Sequence, residues 1–140
     1  MGLLTDFYVA NRKDAPKVLA GSSAKRWPRA QLKRLDTVKL ASLQGIMAKH
    51  LGRAPGATES RLLTEEDAEQ WVLLVPEALV TMLDEGAAVR DAVADEWALT
   101  DELKADRWTP ETARCALVAL ADLAAKARRD RQDLLLRLSL

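Results

Sequence analysis

Three segments of strand length stand at the beginning, middle and end of this 140-residue chain, with helix-like patterning between them. In the first, Leu3–Ala10, one face carries Leu3, Thr5, Phe7 and Val9, the other Leu4, Asp6, Tyr8 and Ala10. The middle one, Trp71–Val75, is apolar at every position, as a strand covered on both faces would be. In the last, Leu134, Leu136, Leu138 and Leu140 alternate with Leu135, Arg137 and Ser139, a strand with one apolar face. Three strands separated by helices, without regular β-α-β alternation, predict an α+β fold. The expected architecture is a small sheet of three to four strands packed with about five helices.

The connecting segments carry start and stop signals. Asp14 is placed to cap a short helix that Gly21 ends, and Leu32–Leu35 reads as a short edge strand. Asp36 opens a helix whose Leu40, Leu43, Met47 and Leu51 repeat every three or four residues until Gly52 stops it. Residues 52–60 hold two glycines and a proline; neither side of them can bury a good core alone, so they form an exposed loop within one domain, residues 1–140. Thr64 and Asp67 resemble the cap of an acidic turn. Pro76 suits the first position of a helix that turns Ala78, Leu79, Met82 and Leu83 inward before Gly86. Val89, Val93 and Trp97 recur on a second helix, with Leu99 and Leu103 beyond. The clearest local signal is Thr109-Pro110-Glu111: a capping hydroxyl, a proline in the first turn and a carboxylate at the positive helix end.

Charge is divided along the chain. Residues 1–53 hold 11 Lys and Arg against 3 Asp and Glu, a net of +8; residues 54–140 hold 10 against 18, a net of −8. Such polarity bears on association and partner choice rather than on fold. Lys25, Arg26, Arg29, Lys33 and Arg34 fall within ten residues around Trp27, the combination that phosphate-backbone binders use. The chain as a whole is neutral, however, with pI ≈ 6.6, against the value above ~9 usual for nucleic-acid-binding domains. An acidic protein surface, on this chain or on another copy, explains the same residues more simply. Lys25, Arg26, Trp27, Arg29, Lys33 and Arg34 are therefore the candidate interaction residues.

Motifs for catalysis are scarce. One His and one Cys, His50 and Cys115, 65 positions apart, cannot assemble a zinc site, and there is no acidic calcium loop. Glycine-rich phosphate loops and nucleophile elbows are missing, so no cofactor and no metal are expected. His50 stands near a helix end, where a cation suits the helix dipole. Two pocket candidates remain: Asp6 with Tyr8 on the second face of the first strand, and Trp97 with Trp108 among Asp95, Glu96, Asp101, Glu102 and Asp106. Paired carboxylates beside stacking aromatics would suit glycosidase-type chemistry. A solvated acidic helix face, with Val89, Val93 and Trp97 turned to the core, accounts for the second group more simply, and a solvent-facing strand surface does so for the first.

No signal-peptide run is visible, and the longest apolar stretch, Cys115–Ala121, falls well short of the ~20 residues that span a bilayer. The single cysteine asks for no oxidising compartment. The expectation is a cytoplasmic protein without a membrane partner, acting as a non-enzymatic regulatory or immunity-type interaction module. Its partner would be another protein or a second copy; a small carboxylate-dependent enzyme and a nucleic-acid binder are the alternatives.

Overall fold

The computed structural model describes residues 4–20, 27–64 and 69–140. Five strands, β1 (Leu4–Ala10), β2 (Arg29–Gln31), β3 (Arg61–Leu62), β4 (Gln70–Leu74) and β5 (Asp133–Ser139), form one sheet in the order β2-β1-β5-β4-β3. Every neighbouring pair is antiparallel. Six helices accompany it: α1 (Ala15–Ala20), α2 (Thr37–Leu51), α3 (Glu77–Glu85), α4 (Arg90–Ala98), α5 (Asp101–Ala105) and α6 (Pro110–Arg129). The class is α+β, with one more strand and one more helix than the sequence patterning predicts. Among the described residues no helix is long and apolar enough to cross a membrane.

The chain's two end segments are the sheet's central strands, paired from Leu4↔Ser139 to Ala10↔Asp133. Phe7, Val9, Leu134, Leu136 and Leu138 face the main core with Leu73, and α6 lies across β1, β2 and β5 on that side. Helices α3 and α4 pack on α6, and α2 packs on both of them. The opposite face is covered in part by α1, where Tyr8, Val72 and Leu135 meet Ala15 and Val18. A central strand with both faces covered buries both sets of side chains. Leu135 is accordingly as buried as Leu134 and Leu136, which corrects the expectation of a single apolar face. Leu140, counted in that face, lies beyond the strand and is 65% exposed.

Two other expectations are revised. The edge strand lies at Arg29–Gln31, with Asp6↔Gln31 and Tyr8↔Arg29 in register, and not at Leu32–Leu35. Leu32–Leu35 is instead a turn, closed by the Leu35 N–H on the Leu32 carbonyl at 3.3 Å, which sends Leu35 into the core. The fifth strand, β3, is two exposed residues long, too short to leave an alternating pattern. Asn11 caps a 3-10 turn, Arg12–Asp14, that leads into α1, accepting from the Lys13 N–H at 2.9 Å. Thr64 accepts from the Val72 N–H at 3.2 Å beside β4, while Gly21 and Asp67 lie outside the described residues.

The long helices begin and end where their signals stand. Asp36 accepts from the Lys39 N–H at 3.0 Å, and Gly52 closes α2 at φ 66°, a left-handed conformation that glycine adopts without strain. Thr109 accepts from the Thr112 N–H at 3.1 Å at the start of α6. The loop at 52–60 is exposed up to Glu59 and held from below by α2: the buried Gln44 amide donates to the carbonyls of Pro55 and Ala57 at 2.7 and 2.8 Å.

Candidate interaction groove

The turn after β2 and the turn after α5 are brought together by one buried cation. Lys39, 2% exposed on α2, donates to the Arg34 carbonyl at 2.7 Å and to the Asp106 carboxylate, so it clamps the two turns to each other. Thr5 secures the first turn from the sheet side: its hydroxyl donates to the Leu32 carbonyl and accepts from the Leu35 N–H at 3.3 Å. The second turn is held by the Arg107 and Trp108 N–H groups on the carbonyls of Lys104 and Leu103, at 3.0 and 2.9 Å. Arg34 and Arg107 both sit at positive φ, 61° and 59°, the tight reversals that each turn requires.

Between these turns and the start of α6 runs a groove of about 460 Å³. Leu32, Trp108 and Ala116 supply its apolar surface; Lys33, Arg34 and Arg107 supply positive charge. Trp108 is half-buried, its ring set edge-on to Trp97 at 5.5 Å, and Trp97 in turn donates from Nε1 to the Lys39 carbonyl at 3.2 Å. The tryptophan on the groove wall therefore stands on a rigid support. Asp106, the one carboxylate lining the groove, is held ionised: the Lys39 hydrogen bond foremost, then the charges of Lys39 and Arg34, keep it below the ordinary carboxylate value. Arg34 reaches Asp106 at 3.7 Å, while Lys33 and Arg107 enter no ion pair among the described residues.

The four candidate interaction residues that are described are thus separated by the fold. Lys33 and Arg34 line the groove; Lys25 and Arg26 lie outside the described residues. Trp27 and Arg29 turn to the opposite sheet face, Trp27 edge-on to Tyr8 at 6.4 Å and Arg29 over the same ring at 5.9 Å. Asp6 and Tyr8 are 6% and 1% exposed, and Asp6 meets Arg29 at 3.3 Å, so this pair is covered rather than open. Trp97 and Trp108 do meet, but Trp97 is wholly buried and only Trp108 reaches the groove. The carboxylates around them diverge: Glu96 to Lys49 at 2.6 Å, Asp95 to Arg114 at 3.8 Å, Glu102 to Ser42 at 2.9 Å. His50 at the end of α2 lies 3.2 Å from Glu96.

Arg107, which lines the groove, and Lys39, which clamps its two turns, are not singled out by the sequence. Arg107 left one local sign, a basic residue beside a tryptophan directly after an amphipathic segment. Lys39 left none, because its partner Asp106 is 67 residues away. Cys115 is exposed on the groove wall. Among the described residues no three His, Cys, Asp or Glu side chains are grouped to hold a metal ion.

A second groove, of about 330 Å³, is lined by Arg12, Arg128 and Arg131, of which the first two are paired and Arg131 enters no ion pair among the described residues. Arg12 is held by Asp133 through contacts of 2.9, 3.1 and 3.0 Å, and Arg128 by Asp84 and Glu85 at 2.8 and 2.9 Å. Compared with protein-family models, with curated proteins and with solved structures, the chain matches none.

Proposed function

We propose that this protein is a non-enzymatic interaction module that docks an acidic segment of a partner protein in the groove between the Leu32–Leu35 turn and the Asp106–Trp108 turn. One observation carries the proposal: Lys33 and Arg107, from two different turns, line one groove with the half-buried Trp108, and neither enters an ion pair among the described residues. Elsewhere in the basic first third, Arg12, Lys49 and Arg53 pair with Asp133, Glu96 and Glu85 of the acidic remainder. Charge left open beside an aromatic on a rigid support is what a carboxylate-bearing ligand would use. Asp106, being held ionised by Lys39, is not equipped to donate a proton near neutrality, so the groove favours binding over acid–base chemistry.

A protein segment suits the groove better than a nucleic acid. A duplex extends far beyond one short groove, and the neutral chain offers no net positive charge to hold it there. A few carboxylates on a short peptide meet the open cations without reaching that surface.

The test is a calorimetric titration, at low and at moderate salt, with a capped eight-residue peptide alternating glutamate and valine, and separately with a short DNA duplex. The peptide is expected to bind, more weakly as salt rises, and Lys33→Glu combined with Arg107→Glu should weaken it about tenfold or more, roughly 1.4 kcal/mol. Absence of peptide binding, or equal binding by the double variant, would refute the proposal. Binding of the duplex through the same two residues, without the peptide, would make the groove a nucleic-acid surface.

A further inference from the structure

We infer that the acidic partner segment binds as an added strand on the outer edge of β2, with its continuation lying in the groove. The inference rests on the docking function proposed above and specifies its geometry. Strand β2 is the outermost of the sheet, and its inner side is fixed by the Val9 N–H on the Pro28 carbonyl and the Leu32 N–H on the Thr5 carbonyl, both 3.0 Å. In an antiparallel ladder the bonded residues alternate, so Pro28, Ala30 and Leu32 point their backbone groups inward. The N–H and C=O groups of Arg29 and Gln31 then point outward, and both residues are exposed. Among the described residues no strand pairs with that edge.

The edge leads directly into the groove, because Gln31 and Leu32 line it. An extended segment paired with Arg29 and Gln31 would pass within reach of Lys33, Arg34 and Arg107 as it continues. Backbone pairing of this kind supplies affinity, and the flanking side chains supply selectivity. The selectivity here is for acid. A second copy joined edge to edge through β2 would set Arg29, Lys33 and Arg34 of one chain against the same residues of the other, and like charges across a strand pair are destabilising. The cations that discourage self-pairing are the ones that attract a carboxylate-bearing strand.

The experiment compares the alternating glutamate–valine peptide with its fully N-methylated form, which keeps every carboxylate and loses every backbone donor. Binding is followed by calorimetry and by amide hydrogen exchange of the intact protein. The parent peptide should bind and slow exchange at Arg29 and Gln31, and N-methylation should weaken binding at least tenfold. If both peptides bind equally, and Lys33→Glu with Arg107→Glu weakens both, strand addition is wrong while the groove still docks acidic segments. If neither peptide binds, the docking function falls as well. Binding lost on N-methylation yet unaffected by the charge variant would show an edge that pairs without selecting acid, and would also overturn the inference.

Discussion

Lys39 shows how much one side chain can decide. A lysine is rarely buried unless it is paired, and this one is satisfied by a carbonyl, by Asp106 and by the more distant Asp36 at 3.8 Å. Replacing Asp106 by Asn removes the charged partner from a buried cation and should lower stability by about 1–3 kcal/mol in denaturant titrations. The same change should alter the acid limb. The native Asp106 binds its proton less readily than the unfolded chain, whose value is the ordinary 3.8. Its stabilisation is therefore complete well above that value and is lost as pH falls from about 5 through the lower native value. Asp106→Asn should flatten the fall in stability over that range; an unchanged acid limb would mean that the Lys39–Asp106 contact contributes nothing. Lys39 itself was not legible in the sequence. Its neighbours Leu40 and Leu43 mark the buried stripe by spacing, but a lysine beside the stripe is buried only because a carboxylate 67 positions away meets it.

At the scale of elements, β5 carries the most. It lies between β1 and β4, pairs with both, and buries Leu134, Leu135, Leu136 and Leu138. Truncation after Asp133 removes four buried leucines, each worth roughly 1.5–3 kcal/mol, and opens the ladder on two sides. The sum rivals the ~5–15 kcal/mol that holds a typical domain folded, so the truncated chain should show no cooperative unfolding transition. Removing Leu140 alone, exposed as it is, should change stability by less than about 0.5 kcal/mol. A cooperative transition in the longer truncation would contradict the central position of β5. Long elements were the legible ones: α2 and α6 announce themselves through Asp36, Gly52 and Thr109, and β1, β4 and β5 through apolar runs. Short elements were not. The sequence points to an edge strand several residues after β2 because Leu32 and Leu35 carry the apolar signal, whereas Arg29 and Gln31, which do the pairing, look like a loop. The groove inherited that difficulty, since its two walls are turns whose meeting depends on the whole fold.

For the molecule as a whole, the division of charge becomes a set of contacts across the fold. Arg12–Asp133 at 3.0 Å, Lys49–Glu96 at 2.6 Å and Arg53–Glu85 at 2.7 Å, together with the Lys39–Asp106 clamp, join the basic third to the acidic remainder. Each exposed pair contributes only about 0–1 kcal/mol, and salt weakens them together as the screening length shrinks from ~30 Å at 0.01 M to ~10 Å at 0.1 M. Stability should therefore fall by about 1–2 kcal/mol between low salt and several hundred millimolar sodium chloride; a rise would mean that repulsion, not attraction, dominates the surface. The polarity was plain in the sequence, but which cations it leaves open was not, because that depends on which acids the fold brings within reach. Among the described residues Lys33 and Arg107 are the groove cations without an ion pair, and the most direct measurement is a titration of the nitrogen-15-labelled protein with the alternating glutamate–valine peptide, followed residue by residue. Saturable shifts are expected at Gln31–Arg34, at Arg107, at the Trp108 indole and at Thr112–Ala116. Shifts confined to the arginine groove around Arg12 and Arg128, or none that saturate, would contradict the assignment of this groove as the docking site.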